Sequence, residues 1–566
     1  MPRRLAVQTT IGFVAAATVF GVSGATAVAA TAPVLASQNP SPYATAGCLA
    51  LEPQPGSLSY LNSEVEPQVA VDPTNPSHLV GAWQQDRWSD GGAHGLVAAY
   101  SNDGGASWQV SPQPFSACYH ASGFPGAYLN YQRASDPWVS IGPGAPPGSP
   151  ASSTVYSVSL SFDQTPFPGD PNALHNAVGA ATSYDGGATW TNVQTIIDDP
   201  CLVGTPPGPG YQCNNAKSYV FNDKESVTAD PVHPGIAYAV WDRLVAPPAT
   251  GPGFVHERAF FGPALISKTT DFGKTWSHPR QIVGLPSLDQ TIGNQIVVDR
   301  QTGALYDFFN LIQSASNAGG NRRYNVAFIK STDGGATWSA PSVVAALQTV
   351  GQNRVTDPNN LNALTNAPPA RSRTGDIIPE PAINPNNGQL YVVWQDARFN
   401  AFTNDETVIS TSNNGGATWS APQLVNVHTG QPAYDPSVYV NAAGVVGVTY
   451  FQWPSTVSGN EPTNLLIRHS MSPGSSVVGP AFDGPSTLDG PFNSLAAPVS
   501  RAYFLGDYQG LVANANGFIP FYVKTNCSDG NATTEPSCRA IQSVLNPTNL
   551  TPTKNDSTDV YAVTGA

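Results

Sequence analysis

Acidic side chains, arginines and one tyrosine stand at recurring places beside short apolar runs, and these residue types can do chemistry. The candidates for proton transfer or nucleophilic attack are Asp86, Glu225, Glu380, Asp507 and Tyr508, and the candidates for binding an anion are Arg87, Arg243, Arg398 and Arg501. Crowded carboxylates push some of their pKa values upwards, which suits acid and base catalysis on a sugar. Arginine forks bind carboxylates through paired hydrogen bonds.

A repeated phrase shows which elements must position these side chains. It reads SNDGGASW at 101–108, SYDGGATW at 183–190, TTDFGKTW at 269–276, STDGGATW at 331–338 and SNNGGATW at 412–419. A short acidic side chain can accept backbone N–H groups within a tight turn, and the glycine supplies a positive φ. Each copy follows an apolar run, so it predicts a turn between strands with its Trp buried between those strands.

The phrase resembles the Asp-box, or BNR repeat, of the sialidase superfamily. The resemblance implies an all-β fold, a β-propeller of four-stranded antiparallel blades, and an exo-α-sialidase-like glycoside hydrolase. The Trp residues that end the copies stand at 108, 190, 276, 338 and 419, a spacing that suits one blade with its loops. Repeats of this kind determine the architecture before any other signal.

Alternating apolar runs upstream of each copy predict two further strands per unit, as in PQVAVDP (67–73) and HLVGAWQQDR (78–87). Two more units, within 436–470 and 508–565, have such runs without a good copy of the phrase. The count therefore favours seven blades, with six as the alternative. We expect one propeller over 61–566, preceded by an irregular segment over 31–60 whose part near Cys48 completes the last blade.

Strand direction predicts where the candidate residues meet. The repeated phrase joins the third and fourth strands of a blade, so the start of the first strand and the end of the second lie on the opposite face. All the candidate residues stand at such positions or beside them. We therefore expect a site at the funnel mouth on the face away from the repeated turns.

The resemblance also implies roles for these residues. Tyr508, in RAYFLGDYQG (501–510), is the expected nucleophile, and Glu225 or Glu380 would activate it. Asp86 or Asp507 would serve as acid and base. The substrate-binding set for an acidic sugar would be Arg87, Arg243, Arg398 and Arg501. The Phe/Tyr-Arg-Ile-Pro motif of the family is absent, which leaves its arginine positions unmatched.

Two alternatives stay open. The Asp–Arg pairs that recur near Trp83, Trp241 and Trp394 are also what neighbouring blades would use to bridge to each other. A noncatalytic propeller that binds glycans or proteins remains the alternative function, with another enzyme such as a polysaccharide lyase behind it. The repeated turns do not distinguish these functions, since one fold supports many chemistries.

Composition limits the compartment and the partners. The net charge is −14, which disfavours nucleic acid and anionic membranes as partners. Residues 1–30 read as a secretory signal, with Arg3 and Arg4 before an apolar stretch, and no other stretch is apolar enough to span a membrane. We expect a secreted, extracellular monomer that acts on carbohydrate without a cofactor or metal. Six cysteines in an exported chain predict disulfides, with the pairs 201–213, 527–538 and 48–118.

Overall fold

The computed structural model describes residues 30–51, 59–165, 173–202, 219–247, 259–351, 372–427, 431–453, 462–471, 480–500, 502–526 and 558–566. Nearly all regular structure in these ranges is antiparallel β-sheet, as the sequence predicts. The exceptions are two helices of one turn and a 3-10 helix at Ser494–Ala496. No helix among these residues is long and apolar enough to cross a bilayer.

The first described elements are β1 (Val34–Leu35) and α1 (Ala46–Ala50). Sheet 1 follows, with β2 (Ser59–Val71), β3 (Leu79–Trp88), β4 (Ala93–Ser101) and β5 (Gln109–Pro112). After α2 (Ala117–Ala121) come sheet 2 and a separate sheet of two short strands. Together they contain β6 (Arg133–Pro143), β7 (Ser153–Phe162), β8 (Ala173–Leu174), β9 (Asn176–Ser183), β10 (Thr191–Asp198) and β11 (Cys201–Leu202). In sheet 2 the order is β6-β7-β9-β10, while β8 pairs with β11.

Four more sheets have four consecutive strands each. Sheet 3 contains β12 (Tyr219–Ala229), β13 (Ala237–Ala246), β14 (Ala264–Thr269) and β15 (Arg280–Gln281). Sheet 4 contains β16 (Gln290–Val298), β17 (Leu305–Gln313), β18 (Arg323–Ser331) and β19 (Ser342–Ala346). After β20 (Ser372–Arg373), sheets 5 and 6 contain β21 (Glu380–Ile383), β22 (Leu390–Asp396), β23 (Glu406–Ser412), β24 (Gln423–Leu424), β25 (Ala433–Val440), β26 (Val446–Gln452), β27 (Pro462–His469) and β28 (Ser486–Asn493).

Sheet 7 joins the two ends of the chain. After β29 (Tyr503–Phe504) it contains β30 (Gly510–Asn514), β31 (Gly517–Thr525) and β32 (Thr558–Ala562). Its fourth strand is β1, which pairs antiparallel with β32. Single-residue bridges connect β4 to β6 and β2 to β32, so sheets 7, 1 and 2 share one hydrogen-bonded network.

The first strands of the sheets lie side by side in a cyclic order. β2 contacts β6, which contacts β12, and the series continues through β16, β21, β25 and β30 back to β2. Apolar side chains fill the space between neighbouring sheets, where Trp83, Trp241 and Trp394 of the second strands are fully buried. Burying side chains of this size is the main stabilising contribution of such interfaces.

The repeated phrases form turns between the third and fourth strands, as expected from the sequence. In the fourth copy, Asp333 accepts hydrogen bonds from Thr337 N at 2.8 Å and from Ser331 Oγ at 2.8 Å. Ser331 Oγ in turn accepts from Gly335 N at 2.9 Å, and Gly335 has a φ of 86°. The side chains of the phrase therefore satisfy the donors of the turn itself.

The Trp residues of the repeated phrases are half-buried, whereas the sequence analysis predicts full burial. They close over the turn and reach the preceding sheet. Trp108 lies 5.1 Å from Phe521 of sheet 7, and Trp419 lies 5.8 Å from Phe308 of sheet 4. A position at the edge of an interface leaves one side of each indole accessible, which explains the difference.

Replacing Asp333 with alanine is expected to lower the melting temperature, because two turn donors lose their acceptor. Hydrogen bonds from Thr337 and Ser331 lower the pKa of Asp333 to about 2. A lowered pKa stabilises the fold above about pH 4, and this stabilisation is lost as the pH falls from about 4 to about 2. The difference in melting temperature between wild type and Asp333→Ala should therefore shrink on acidification.

Asp333→Asn is the matched control, because Asn414 makes the equivalent contacts with Thr418 in the fifth copy. This variant should keep most of the stability and should lose the pH dependence. A melting temperature for Asp333→Ala equal to that of wild type at neutral pH would contradict the structural role of the turn.

The N-terminal segment, expected to be irregular, holds β1 and α1 and is fastened to sheet 1. A disulfide joins Cys48 to Cys118, as predicted. Tyr43 is fully buried and donates a hydrogen bond to Leu96 O at 2.8 Å. The predicted pairs 201–213 and 527–538 lie outside the residues whose side chains are described, as do residues 1–29 of the predicted signal.

Candidate active site

The first strands of five sheets each contain a bulge. Its residue has a left-handed backbone, with φ values of 54° at Glu66, 50° at Asp136, 51° at Lys224, 72° at Gly293 and 45° at Asp435. The strand register shifts at each of these points. Residues with a Cβ resist this conformation by about 1 kcal/mol or more, and such strain concentrates at functional sites. The bulges bring charged side chains from separate sheets to one place.

Lys224 is the cation at the centre of this place. Its Nζ lies 2.8 Å from Asp507 Oδ2, 3.1 Å from Glu66 Oε1 and 3.3 Å from Asp136 Oδ2. All four side chains are buried. The ammonium donates hydrogen bonds to Asp507 and Glu66 and forms an ion pair with Asp136, so Lys224 ties sheets 1, 2 and 3 to the segment before sheet 7.

A second cation reaches Asp507 from the segment before sheet 5. Arg373 donates from Nη2 to Asp507 Oδ2 at 2.5 Å and from Nε to Oδ1 at 3.1 Å. The parallel pairing of β20 with β29 sets this geometry. Gly375 lies so close that a Cβ there would come 1.7 Å from Asp507 O, so only glycine fits.

Two guanidinium groups meet at the Phe504 ring. The central guanidinium carbon lies 4.2 Å from the ring centre for Arg373 and 5.1 Å for Arg87. Arg87 also donates to Ser500 Oγ at 3.1 Å. Arg87 Nε and Arg373 Nη1 are buried and donate to no acceptor among the described residues. Two N–H groups therefore remain available at this ring.

We name these residues the charged cluster; its members are Glu66, Arg87, Asp136, Lys224, Glu225, Arg373, Asp507 and Tyr508. Burial would raise the pKa of Asp507, but Arg373 and Lys224 together hold it well below its usual range. Burial would lower the pKa of Lys224, but Asp136, Asp507 and Glu66 raise it. Both groups are therefore charged at neutral pH. Burial raises the pKa of Glu66 to about 8.

Glu225 and Tyr508 form the uncharged part of the cluster. Burial, reinforced by Asp136, raises the pKa of Glu225 well above its usual range, and neither carboxyl oxygen has a hydrogen-bond partner among the described residues. Burial and then Glu66 raise the pKa of Tyr508, whose hydroxyl donates to Pro137 O at 3.4 Å. A cavity of about 10 Å³ lies beside both side chains. Two carboxyl groups with opposite pKa shifts, Glu225 and Asp507, thus lie in one cluster.

The structure places two other predicted catalytic residues away from these contacts. Glu380 is buried, accepts from Gln295 Nε2 at 3.2 Å, and has its pKa raised by burial to about 8. Asp86 accepts from Ser41 Oγ at 2.6 Å and from Asn62 N at 2.7 Å. Asp86 therefore holds the N-terminal segment against sheet 1.

Of the predicted arginines that the structure describes, only Arg87 lies in the charged cluster. Arg243 of sheet 3 makes a paired contact with Asp199, just after the last strand of sheet 2, at 2.5 and 2.9 Å. Arg398 pairs with Asp396 at 2.7 Å and donates to Ala346 O of sheet 4. Both contacts fit the alternative that such pairs bridge neighbouring sheets. Arg501 lies outside the described residues.

The predicted site omits four members of the cluster, namely Glu66, Asp136, Lys224 and Arg373. A signal for three of the bulges is present in the sequence. Acidic residues precede proline at Glu66-Pro67 and Asp136-Pro137, and again at 435–436, each time within a first strand. Proline restricts the residue before it, so this recurrence points to an irregular backbone position.

Metal ligation finds no support in the described part of the chain. No group of three or more His, Cys, Asp or Glu residues there is arranged to hold a metal ion. The cations of the cluster are the side chains Lys224, Arg373 and Arg87.

No protein-family model and no curated protein matches the chain. Solved structures that resemble it include an α-L-arabinanase of Penicillium chrysogenum complexed with arabinobiose, with TM-score 0.41, 12% identity, and 73% of this chain and 98% of that chain covered. An α-L-arabinofuranosidase of Fusarium graminearum gives TM-score 0.40 and 12% identity over 69% and 89%. The intramolecular trans-sialidase of Ruminococcus gnavus gives TM-score 0.35 and 13% identity over 82% and 90%. With TM-scores below 0.5, these similarities place the chain in no family and assign it no activity.

Proposed function

We propose that the seven sheets are the blades of one propeller and that the charged cluster is the active site of an exported glycoside hydrolase. The cyclic contacts of the first strands and the pairing of β1 with β32 support the propeller. The observation that carries the function is geometric: Asp507 contacts Lys224 and Arg373, and Lys224 lines a cavity together with Glu225 and Tyr508. The opposite pKa shifts of Glu225 and Asp507 support it. Groups with pKa values pushed apart are the usual source of acid and base roles in glycoside hydrolysis.

In this proposal Tyr508 attacks the sugar and Glu225 takes its proton. The raised pKa of Tyr508 keeps it a neutral phenol, so it needs a base at the moment of attack. Glu225 is a strong base when ionised, because its pKa is raised. Asp507 stays ionised and stabilises the positive charge that develops on the sugar. Glu66, with a pKa of about 8, is better suited than Asp507 to protonate the leaving group.

An acidic sugar fits the two arginines best. Arg87 Nε and Arg373 Nη1 have no hydrogen-bond partner among the described residues. Both guanidinium groups contact the Phe504 ring, so together they could bind a carboxylate. We propose that Arg87, one of the predicted substrate-binding arginines, binds the substrate together with Arg373. The predicted substrate-binding role of Arg243, Arg398 and Arg501 remains a proposal. The contacts of Arg243 and Arg398 favour a role in bridging neighbouring sheets.

A noncatalytic propeller is the second candidate, and one observation favours it. The cavity beside Glu225 and Tyr508 has only about 10 Å³, which holds about one water molecule. A cluster packed this closely could serve to hold the first strands together while another surface binds a glycan.

The test is hydrolysis of a panel of fluorogenic glycosides by the exported chain, with sialosides, uronides and neutral arabinosides side by side. We expect turnover of an acidic glycoside, and we expect Arg87→Met to raise KM about tenfold or more for that substrate. Turnover of neutral arabinosides alone would reject the acidic substrate. Glycan-array binding without any turnover would favour the second candidate.

A further inference from the structure

A central channel runs along the inner edges of the sheets. Its volume is about 390 Å³, and residues of all seven first strands line it. The lining extends from Gln68, Gln295 and Glu380, on the side of the charged cluster, to the turns between first and second strands at the far mouth. On β2 it reaches from Gln68 to Pro73, and five residues of extended chain span about 16 Å. The channel is therefore an elongated cavity with the volume of a small-molecule site.

The walls of the channel offer a largely apolar surface. Val297 and Ile383 line it and are half-buried, so part of each side chain faces the cavity. Two hydroxyl groups of the lining are used by neighbouring first strands. Thr228 Oγ1 donates to Ile296 O at 2.8 Å, and Ser140 Oγ accepts a backbone N–H of β12 at 3.0 Å. These hydroxyls therefore add little polarity to the cavity.

Arg300 is the one cation among the described residues that line the channel. It is exposed at the far mouth and makes no hydrogen bond or ion pair with any described residue. The carboxylate of Asp72, at the same mouth, is held by Thr74 N at 2.7 Å and by Ser153 Oγ. Burial raises the pKa of Glu380 to about 8, so this acid is largely neutral at pH 7. The channel therefore offers one available charge, and it is positive.

The position of Arg300 in the repeated sheets is unusual. The second residue after the first strand is Pro73 in sheet 1, Pro231 in sheet 3, Pro385 in sheet 5 and Ala442 in sheet 6, and all four line the mouth. In sheet 4 this residue is Arg300. An apolar collar with one guanidinium group is not needed to close a turn, because the other sheets close theirs without it.

We infer that the central channel binds a linear aliphatic carboxylate such as decanoate, with its carboxylate on Arg300 and its alkyl chain along the channel walls. A guanidinium group binds a carboxylate through two parallel hydrogen bonds. Tyr439 lines the channel near Arg300, since burial raises the pKa of this phenol and Arg300 lowers it. The alkyl chain gains free energy by leaving water. This site is separate from the charged cluster, so the inference holds whether or not the proposed hydrolysis occurs.

The test is titration calorimetry of the full chain with octanoate, decanoate and decanol. Two added methylene groups should make decanoate bind about tenfold more tightly than octanoate. Arg300→Gln should weaken decanoate binding about tenfold or more and leave decanol binding unchanged, because only the carboxylate loses a charged donor. Arg322→Gln is the matched control, since Arg322 is an exposed arginine before β18 that does not line the channel. Its affinities should equal those of wild type.

A second pair of variants tests where the ligand enters. Ala442 and Ala443 are both exposed, but only Ala442 lines the channel mouth. Ala442→Trp should weaken decanoate and decanol binding alike, whereas Ala443→Trp should leave both unchanged, with equal melting temperatures for the two variants. Absence of decanoate binding to wild type, or equal decanoate affinities of Arg300→Gln and Arg322→Gln, would overturn the inference. Equal effects of the two Trp variants would overturn it as well, because the ligand would then bind outside the channel.

Discussion

Tyr508→Phe is expected to remove nearly all turnover while the fold and ligand binding stay intact. The substitution deletes the attacking oxygen and only a long hydrogen bond of 3.4 Å to Pro137 O, so the effect on stability should be below about 1 kcal/mol. Glu225→Gln should lower kcat by about 10²–10⁴-fold, because the base is lost. The double variant should be no worse than Tyr508→Phe, since the two groups act in one step.

The pH profile tests the same pair of residues. Hydrolysis needs ionised Glu225, and burial raises its pKa, so kcat/KM should rise with pH through a value well above the usual range for glutamate. It should fall again near pH 8, where Glu66 loses its proton. A fully active Tyr508→Phe variant, or a rise in kcat/KM near pH 4, would contradict these roles. The binding-only propeller would then become the leading proposal.

Lys224→Met is expected to give the largest loss of stability, about 3–5 kcal/mol in the free energy of unfolding. The variant leaves Glu66, Asp136 and Asp507 buried around an apolar group, with only Arg373 still facing Asp507. Unfolding in urea, followed by fluorescence of the buried Trp residues, measures the change. Lys268→Met in the same sheet is the matched control; its Nζ contacts Gly334 O at the half-exposed far end, so it should lose less than about 1 kcal/mol.

Acid should reduce the stability of wild type and of Lys224→Met by different amounts. The folded pKa of Asp507 is lowered, so its contribution to stability is present above about pH 4 and is lost as the pH falls below that value. Lys224→Met should show a smaller loss over the same range, because one of the two cations responsible is gone. Equal stabilities of Lys224→Met and Lys268→Met at neutral pH would show that the cluster does not hold the sheets together.

Local signals predict most of the fold. The acid, glycine and Trp of each repeated turn act within eight residues, so the turns and the strand order can be predicted without any distant contact. Period-two alternation predicts the strands for the same reason. Strand direction follows from the position of the turns, so the sequence predicts Tyr508, Glu225 and Asp507 on one face, and in the structure all three lie in the charged cluster. The pairing of Cys48 with Cys118 follows from an even count of cysteines once the short loops 201–213 and 527–538 are assigned to the other four.

The composition of the charged cluster depends on distant contacts, which explains what the sequence analysis missed. Arg373 reaches Asp507 only because β20 pairs in parallel with β29, and two-residue strands have no alternation to detect. Lys224 is recognisable as the centre only once bulges from three sheets meet. Arg243 and Arg398 stand at second-strand ends as predicted, but local carboxylates occupy both of them. The position of an arginine along a strand does not show which carboxylate will be its nearest partner.

The pairing of β1 with β32 has a consequence for biosynthesis. The hydrogen bond between Ser37 and Asp559 spans 522 positions, so β1 lacks its partner strand β32 until almost the whole chain has left the ribosome. Contacts this distant in sequence form late and slowly. The Cys48–Cys118 bond spans only 70 positions and keeps the N-terminal segment, which contains β1, beside sheet 1. Chains released before residue 562 should therefore expose an unpaired strand edge, which is a starting point for aggregation.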